Sequence, residues 1–277
     1  MVTAPTTKGP TMAAEILERS MAERRRSTIG WFVGVAVYTL INVAVFPEVK
    51  SQSGLNDLIK EYPPALMSMM GIDAKTLDIT SAVGYLGSQM NMIGPLLLVM
   101  VGVAFGSATL AGEEEDGTLA LALSYPVSRT RVLVEKGAAL LLVVTFIALG
   151  LLFTILAGRL FELDVPIPGL VAFCVSLALL GALFGMVALA VGAATGSKAM
   201  GTGVAAAAAG ATYLVSSLAP VVSVVRPLRW ASPFWYATGG NPLANGLAIR
   251  DVVVLVSATS VLWLSSVALF NRRDLRG

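Results

Sequence analysis

The densest group of chemically capable side chains is Glu113-Glu114-Glu115-Asp116, four carboxylates in a row, followed by Gly117 and Thr118. Contiguous carboxylates can hold a divalent cation, exchange protons as general acid and base, or pair with cations on a neighbouring surface. Little else in the chain completes a reaction centre. Histidine is absent, which removes the commonest metal ligand and neutral-pH base and leaves the nucleophilic triads unavailable. Cys174 is the single cysteine and lies in an apolar run, so no internal disulfide forms and the thiol reads as a small hydrophobe. The phosphate-cradling string Gly-x-x-x-x-Gly-Lys-Ser/Thr is missing: its nearest match, Gly192 to Lys198, has Ser197 in the place of the second glycine. The chain is therefore not expected to bind ATP itself. Of the three kinds of work, pairing with a partner is the one best served by the residues after the acids.

Those residues form an apolar stretch, Leu119-Ala120-Leu121-Ala122-Leu123-Ser124-Tyr125, closed by Pro126 and then by Arg129, Arg131 and Lys136. The stretch has the length of about two helical turns. Asp116 or Thr118 can cap it, and the acids suit the positive end of its dipole. At 100° per residue, Leu119, Leu121, Leu123 and Tyr125 spread around the helix and cannot all face the chain's own core. A helix so short is marginal alone in water. The spacing predicts a plug for a groove on a partner, with Glu113, Glu114, Glu115 and Asp116 at one end and Arg129 at the other as polar anchors. A tight loop with solvated acids is the plainer alternative.

The elements that must position this segment are membrane spans. Of the 277 residues 56% are hydrophobic and only 13% charged, against about 25% in soluble domains. Mean hydropathy is +0.80. Six runs carry no charge: Ser27 to Pro47, Ile79 to Gly112, Gly137 to Gly158, Val165 to Ser197, Ala199 to Val225, and Val252 to Asn271. Crossing the hydrocarbon takes about 20 residues, and each run suffices for one crossing but not two. A charge at mid-span costs about 2.5–3.5 kcal/mol, which keeps the runs clean. The expectation is an all-α membrane protein, one transmembrane unit over 1–277, with six transmembrane helices near 28–46, 88–111, 137–158, 169–194, 200–222 and 252–270.

An even number of spans puts both termini on one side. With the N-terminus cytoplasmic, that face takes twelve lysines and arginines and the other seven. The triplet Arg24-Arg25-Arg26 precedes the first span and Arg272-Arg273 follows the last. Both ends, and the acidic segment between spans 2 and 3, therefore read as cytoplasmic. The N-terminus lacks the short apolar core and small-residue cleavage site of a removable signal. Residues 11–27 carry a rough helical face and are expected to lie on the inner membrane surface. The outer loop from Pro47 to Thr80 suggests short amphipathic helices. The segment Arg226 to Arg250, with three prolines and the aromatics Trp230, Phe234, Trp235 and Tyr236, suggests a broken or re-entrant element, or an interfacial loop with an aromatic belt. Small-residue pairs at Gly30/Gly34, Gly102/Gly106 and Gly181/Gly185 permit close helix approach. A net charge of +2 gives no field for nucleic acid.

The string Glu113 to Arg129 followed by Lys136 resembles the loop between spans 2 and 3 of ABC-2 type permeases, the membrane subunits of ATP-binding cassette exporters. That pattern runs Glu-Glu-x-x-Gly-Thr-Leu, a short helix, then Pro-Val-Ser-Arg and a lysine, filled here by Glu113 or Glu114, Gly117, Thr118, Leu119, Pro126, Val127, Ser128, Arg129 and Lys136. The run of four acids departs from the pattern and leaves the register of the key glutamate open. Phe270-Asn271-Arg272-Arg273-Asp274-Leu275 and Ser232-Pro233-Phe234 are similar to one exporter branch of that family. The resemblance implies a short cytoplasmic coupling helix after Gly117, two copies of a separate ATPase subunit that carry ATP and magnesium, and a second permease subunit, identical or closely related, facing this one in a bacterial inner (plasma) membrane. It implies an export or efflux function with no catalytic residue in this chain. A secondary transporter would keep ionisable groups inside its spans, and the six runs have none. A non-transporting membrane scaffold stays open.

Overall fold

Clean apolar runs become helices because a backbone in hydrocarbon must satisfy its own hydrogen bonds. The computed structural model describes residues 12–52, 54, 61–63, 66–67, 78–119 and 128–273, with side chains from Arg24 onward. Among the described residues there is no strand, and six helices are long and apolar enough to cross a membrane. They are α1 (Met12–Ser51), α2 (Ala82–Ser107), α3 (Arg129–Ala157), α4 (Ile167–Thr195), α5 (Lys198–Leu218) and, after two short helices α6 (Pro233–Thr238) and α7 (Pro242–Asn245), α8 (Ile249–Arg272). The fold is all-helical, as the charge-free runs require.

Serines start three of these helices. Ser81, Ser128 and Ser197 sit in extended conformation before α2, α3 and α5, and each hydroxyl accepts an N–H of the first turn. Gly196 ends α4 in the left-handed region at φ 67°. Hydroxyls within the spans turn back on their own helices: Thr39, Thr154, Thr212 and Thr259 each donate to the carbonyl four residues earlier. The residues 12–27 continue into the first span without a break, in one helix of 40 residues. Most of the amphipathic helices expected between Pro47 and Thr80, including Leu55, Leu58, Ile59, Met69 and Met70, lie outside the described residues.

α4 is the hub, touching α2, α3, α5, α6, α7 and α8. Its closest neighbour is α2, and glycines set that distance. A Cβ on Gly102 would strike the carbonyl of Gly181, and one on Gly106 the carbonyl of Gly185. Two of the three small-residue pairs thus meet each other, whereas Gly30 and Gly34 on α1 have open space beside them. The chain between α5 and α8 folds back into the bundle: Ser232 Oγ donates to the Thr212 carbonyl at 2.7 Å, and Phe234 packs on Phe184 of α4 and Tyr213 of α5 with centroids 5.6 and 5.4 Å apart. The segment is a broken element packed against the bundle. Its prolines start the short helices α6 and α7, where no N–H is needed.

Candidate functional site

α2 does not end as a regular helix. Ala108–Gly112 forms a π-turn and Glu113–Glu115 resumes α-helical geometry. A π-turn inserts one residue and takes carbonyls off the regular ladder. Arg24 of α1 donates to the first of these, the Ala108 carbonyl. The insertion rotates the residues after it by about 100° relative to an unbroken helix, and the three glutamates emerge toward three different helices.

Glu113 meets Lys136 of α3, whose Nζ lies 2.6 Å from both carboxylate oxygens. Lys136 is 2% exposed and the Glu113 side chain 12%. Arg24 stands 4.0 Å from the same carboxylate. Glu114 pairs with Arg273 at the end of α8. Glu115 accepts the backbone N–H of Lys198, the first residue of α5, at 2.8 Å. The α4–α5 turn closes on the Glu114 pair: a Cβ on Gly196 would collide with the Arg273 guanidinium and reach 2.9 Å from a Glu114 oxygen. All six spans therefore converge on three consecutive acids. In water each such pair is worth little, but Lys136 and Glu114 are shielded from solvent, where an unpaired charge costs several kcal/mol.

The turn beyond is built by the residues of the motif. Asp116 is exposed and its N–H closes on the Gly112 carbonyl at 3.0 Å. Gly117 sits at φ 72°, left-handed, where a side chain is strained. Thr118 donates to the Glu113 carbonyl at 3.2 Å, and Leu119 is buried. On the far side of the loop, Arg129 donates to the Arg273 carbonyl at 2.7 Å and lies 6.0 Å over the Phe270 ring. Asn271 donates to Thr130 at 2.9 Å. Leu121, Tyr125 and Pro126, the remaining residues of the expected coupling segment, lie outside the described residues.

Of the residues expected to anchor a partner, Glu113, Glu114, Glu115 and Arg129 each make a contact within the chain, and of the four acids Glu115 and Asp116 are exposed. Four residues of the cluster are not marked as site residues by sequence reasoning: Lys136, Arg24, Arg273 and Gly196. Lys136 carries a signal, since it closes the same motif that the glutamate opens. Arg24 is visible in the sequence only as a charge flanking a span, and Arg273 as such a charge and as a member of the resembling string Phe270 to Leu275. Gly196 carries none. Among the described residues no group of three or more Cys, Asp or Glu is placed to hold a metal ion.

The fold and this site define a class: a multi-pass helical membrane protein whose spans meet at one end, through ion pairs and backbone contacts, around the root of a loop between spans 2 and 3. The chain belongs to the ABC-2 family transporter proteins, whose family model matches residues 14–275. It is accordingly a membrane permease component of an ATP-binding cassette transporter, a transport subunit whose family works with an ABC ATPase. No curated protein matches the chain.

Proposed function

We propose that this chain is the permease subunit of an exporter, and that ATP hydrolysis in a separate ATPase is coupled to it through the segment rooted at Glu113–Leu119. The observation that carries the reading is the convergence of all six spans on Glu113, Glu114 and Glu115. A displacement imposed on the segment after Gly117 enters the bundle where, among the described residues, all six spans meet. Twelve of nineteen lysines and arginines fall on this side, which makes it and both termini cytoplasmic. Two ATPase copies, carrying ATP and magnesium, dock there, and a second permease subunit completes the substrate path in a bacterial plasma membrane. Catalysis has no residue in this chain.

The test is reconstitution with the ATPase. Gly117→Pro forces φ to about −65° where the turn needs a positive value, and Leu121→Asp places a charge in the docking segment. Neither position lies within a span. Both variants insert and run as monodisperse species, lose substrate-stimulated ATPase activity, and retain less ATPase on purification. Normal transport with full ATPase retention in both variants overturns the reading. Arg129→Glu is a poorer probe than the sequence implied, because Arg129 already serves the Arg273 carbonyl.

A further inference from the structure

The opposite end of the bundle carries a second charged cluster, of different chemistry. After α5 the chain forms a 3-10 helix, Arg226–Ala231. Arg229 lies between two indoles, its guanidinium carbon 4.7 Å from the Trp230 ring and 4.8 Å from that of Trp235. Arg250, at the start of α8, stands 5.3 Å over the same Trp230 and 6.0 Å over Tyr236. Tyr236 donates to the Trp230 carbonyl at 2.8 Å and fixes that ring. Arg250 has a carboxylate, Asp251, at 2.9 Å. Among the described residues neither Arg226 nor Arg229 has one, and Arg229 Nε is buried without a hydrogen-bond acceptor. Arg226 is exposed one 3-10 turn before Arg229, on the same side of that helix, and three guanidinium groups against one carboxylate give this segment a net positive charge.

Depth and surroundings say what meets it. α5 has 21 residues, about 31 Å, which only just spans the hydrocarbon, whereas α4 with 29 residues projects beyond it. The end of α5 therefore lies at the boundary between acyl chains and headgroups, and the arginines begin after seven uncharged residues, 219–225. Around them Val224 and Ile249 are each 82% exposed, and Leu228 and Trp230 about half exposed. Apolar side chains open to the bilayer beside unpaired arginines match a molecule with acyl chains and an anionic head. A soluble anion would have no use for Val224 or Ile249. The adjoining cavity of about 110 Å³, lined by Ser176, Asn245 and Asp251, is a weaker candidate for a cation because Arg250 already neutralises its carboxylate.

We infer that Arg226, Arg229 and Arg250 with Trp230 form a binding site for the phosphate headgroup of an anionic lipid in the leaflet opposite the ion-paired end. Net charge, and not phosphate alone, sets the preference: phosphatidylglycerol is favoured over phosphatidylcholine. Each arginine near an anionic surface is worth about fivefold in association. With two arginines lacking a carboxylate, the preference is expected to be about tenfold or more.

Trp230 and Trp235 report on the site directly. The full chain is reconstituted in phosphatidylcholine bilayers containing equal fractions of either acyl-brominated phosphatidylglycerol or acyl-brominated phosphatidylcholine, and tryptophan quenching gives the relative association of each. The expected result is an excess of quenching by the phosphatidylglycerol, reduced to about twofold or less in Arg226→Gln/Arg229→Gln and kept in Arg229→Lys. If the double variant aggregates, Arg226→Gln alone, an exposed position, is expected to lose about fivefold. Equal quenching by the two lipids, or a preference that survives the double variant, overturns the proposal. Loss of the preference on adding inorganic phosphate assigns the arginines to a solute anion and overturns it as well.

Discussion

Lys136→Met removes the cation of the most buried ion pair and leaves its length and apolar stem in place. Lys136 is 2% exposed, and its Nζ is 2.6 Å from both oxygens of Glu113. Without it the Glu113 carboxylate, 12% exposed, keeps Arg24 at 4.0 Å. Removing one member of a buried pair costs about 3–5 kcal/mol because the other stays behind unpaired. Arg24 offsets part of this, so the expected loss is at the low end, about 3 kcal/mol. For a chain of this size each kcal/mol moves Tm by about 2–4 °C, giving a fall of about 6–12 °C. The measurement is the monodisperse fraction remaining after heating the detergent-solubilised protein, at one fixed heating rate. Glu113→Gln takes from Lys136 the carboxylate that lies 2.6 Å from its Nζ and is expected to cost about as much. The double variant Glu113→Gln/Lys136→Met removes both charges and is expected to recover most of the loss, because coupled sites are non-additive. A Lys136→Met protein that melts within about 1 °C of wild type, or a double variant that loses the sum of the two singles, contradicts the weight given to this pair.

Gly106→Val places two methyl groups against the Gly185 carbonyl and is expected to cost more than the usual 1–3 kcal/mol of overpacking, since backbone cannot give way as a side chain does; Gly34→Val, with open space beside it, is expected to leave the same melting measurement unchanged. Deleting Ala111 removes the extra residue of the π-turn and turns Glu113, Glu114 and Glu115 by about 100° together. It is expected to cost more stability than Lys136→Met, and a deletion variant that melts above Lys136→Met contradicts the role given to the π-turn.

The spans were legible because the physics behind them is one-dimensional: a charge in hydrocarbon is costly wherever it sits in the sequence, so clean runs mark helices directly. Close packing was half legible. The spacing of Gly102/Gly106 and Gly181/Gly185 says that a backbone can come near, but not which one does, and the same spacing at Gly30/Gly34 met nothing. The partners of the acidic run were not legible. Glu113 finds Lys136 23 residues away, Glu115 finds Lys198 83 away, and Glu114 finds Arg273 159 away. No local pattern encodes such pairs, and the π-turn breaks the 3.6-residue period by which the acids could have been assigned to faces. Gly117 shows the reverse case. The resemblance marked it, and its φ of 72° gives the reason: the chain must turn sharply between the last acid and Thr118.

The two kinds of contact divide the bundle. α2 and α4 touch backbone to backbone at Gly102, Gly106, Gly181 and Gly185, with no side chain between them to change rotamer, so they can only move as one body. At the ion-paired end α1 and α8 are joined to that body by Arg24 and Arg273, long side chains whose ion pairs tolerate rotation about the contact. α5 and α8 are also the least buried spans, with 17% of each apolar window inside the protein. α8 nonetheless packs along α4 and α3, and α1 along α3, so each is also held along its length. On the proposed function, force entering through Thr118 and Leu119 reaches α2 first, across a turn braced by the Thr118–Glu113 hydrogen bond. It moves the α2–α4 body against helices that pivot on the ion pairs. The acids then serve as hinges of the permease and not as its handle, which leaves the contact with the ATPase to Asp116 and the segment beyond Gly117.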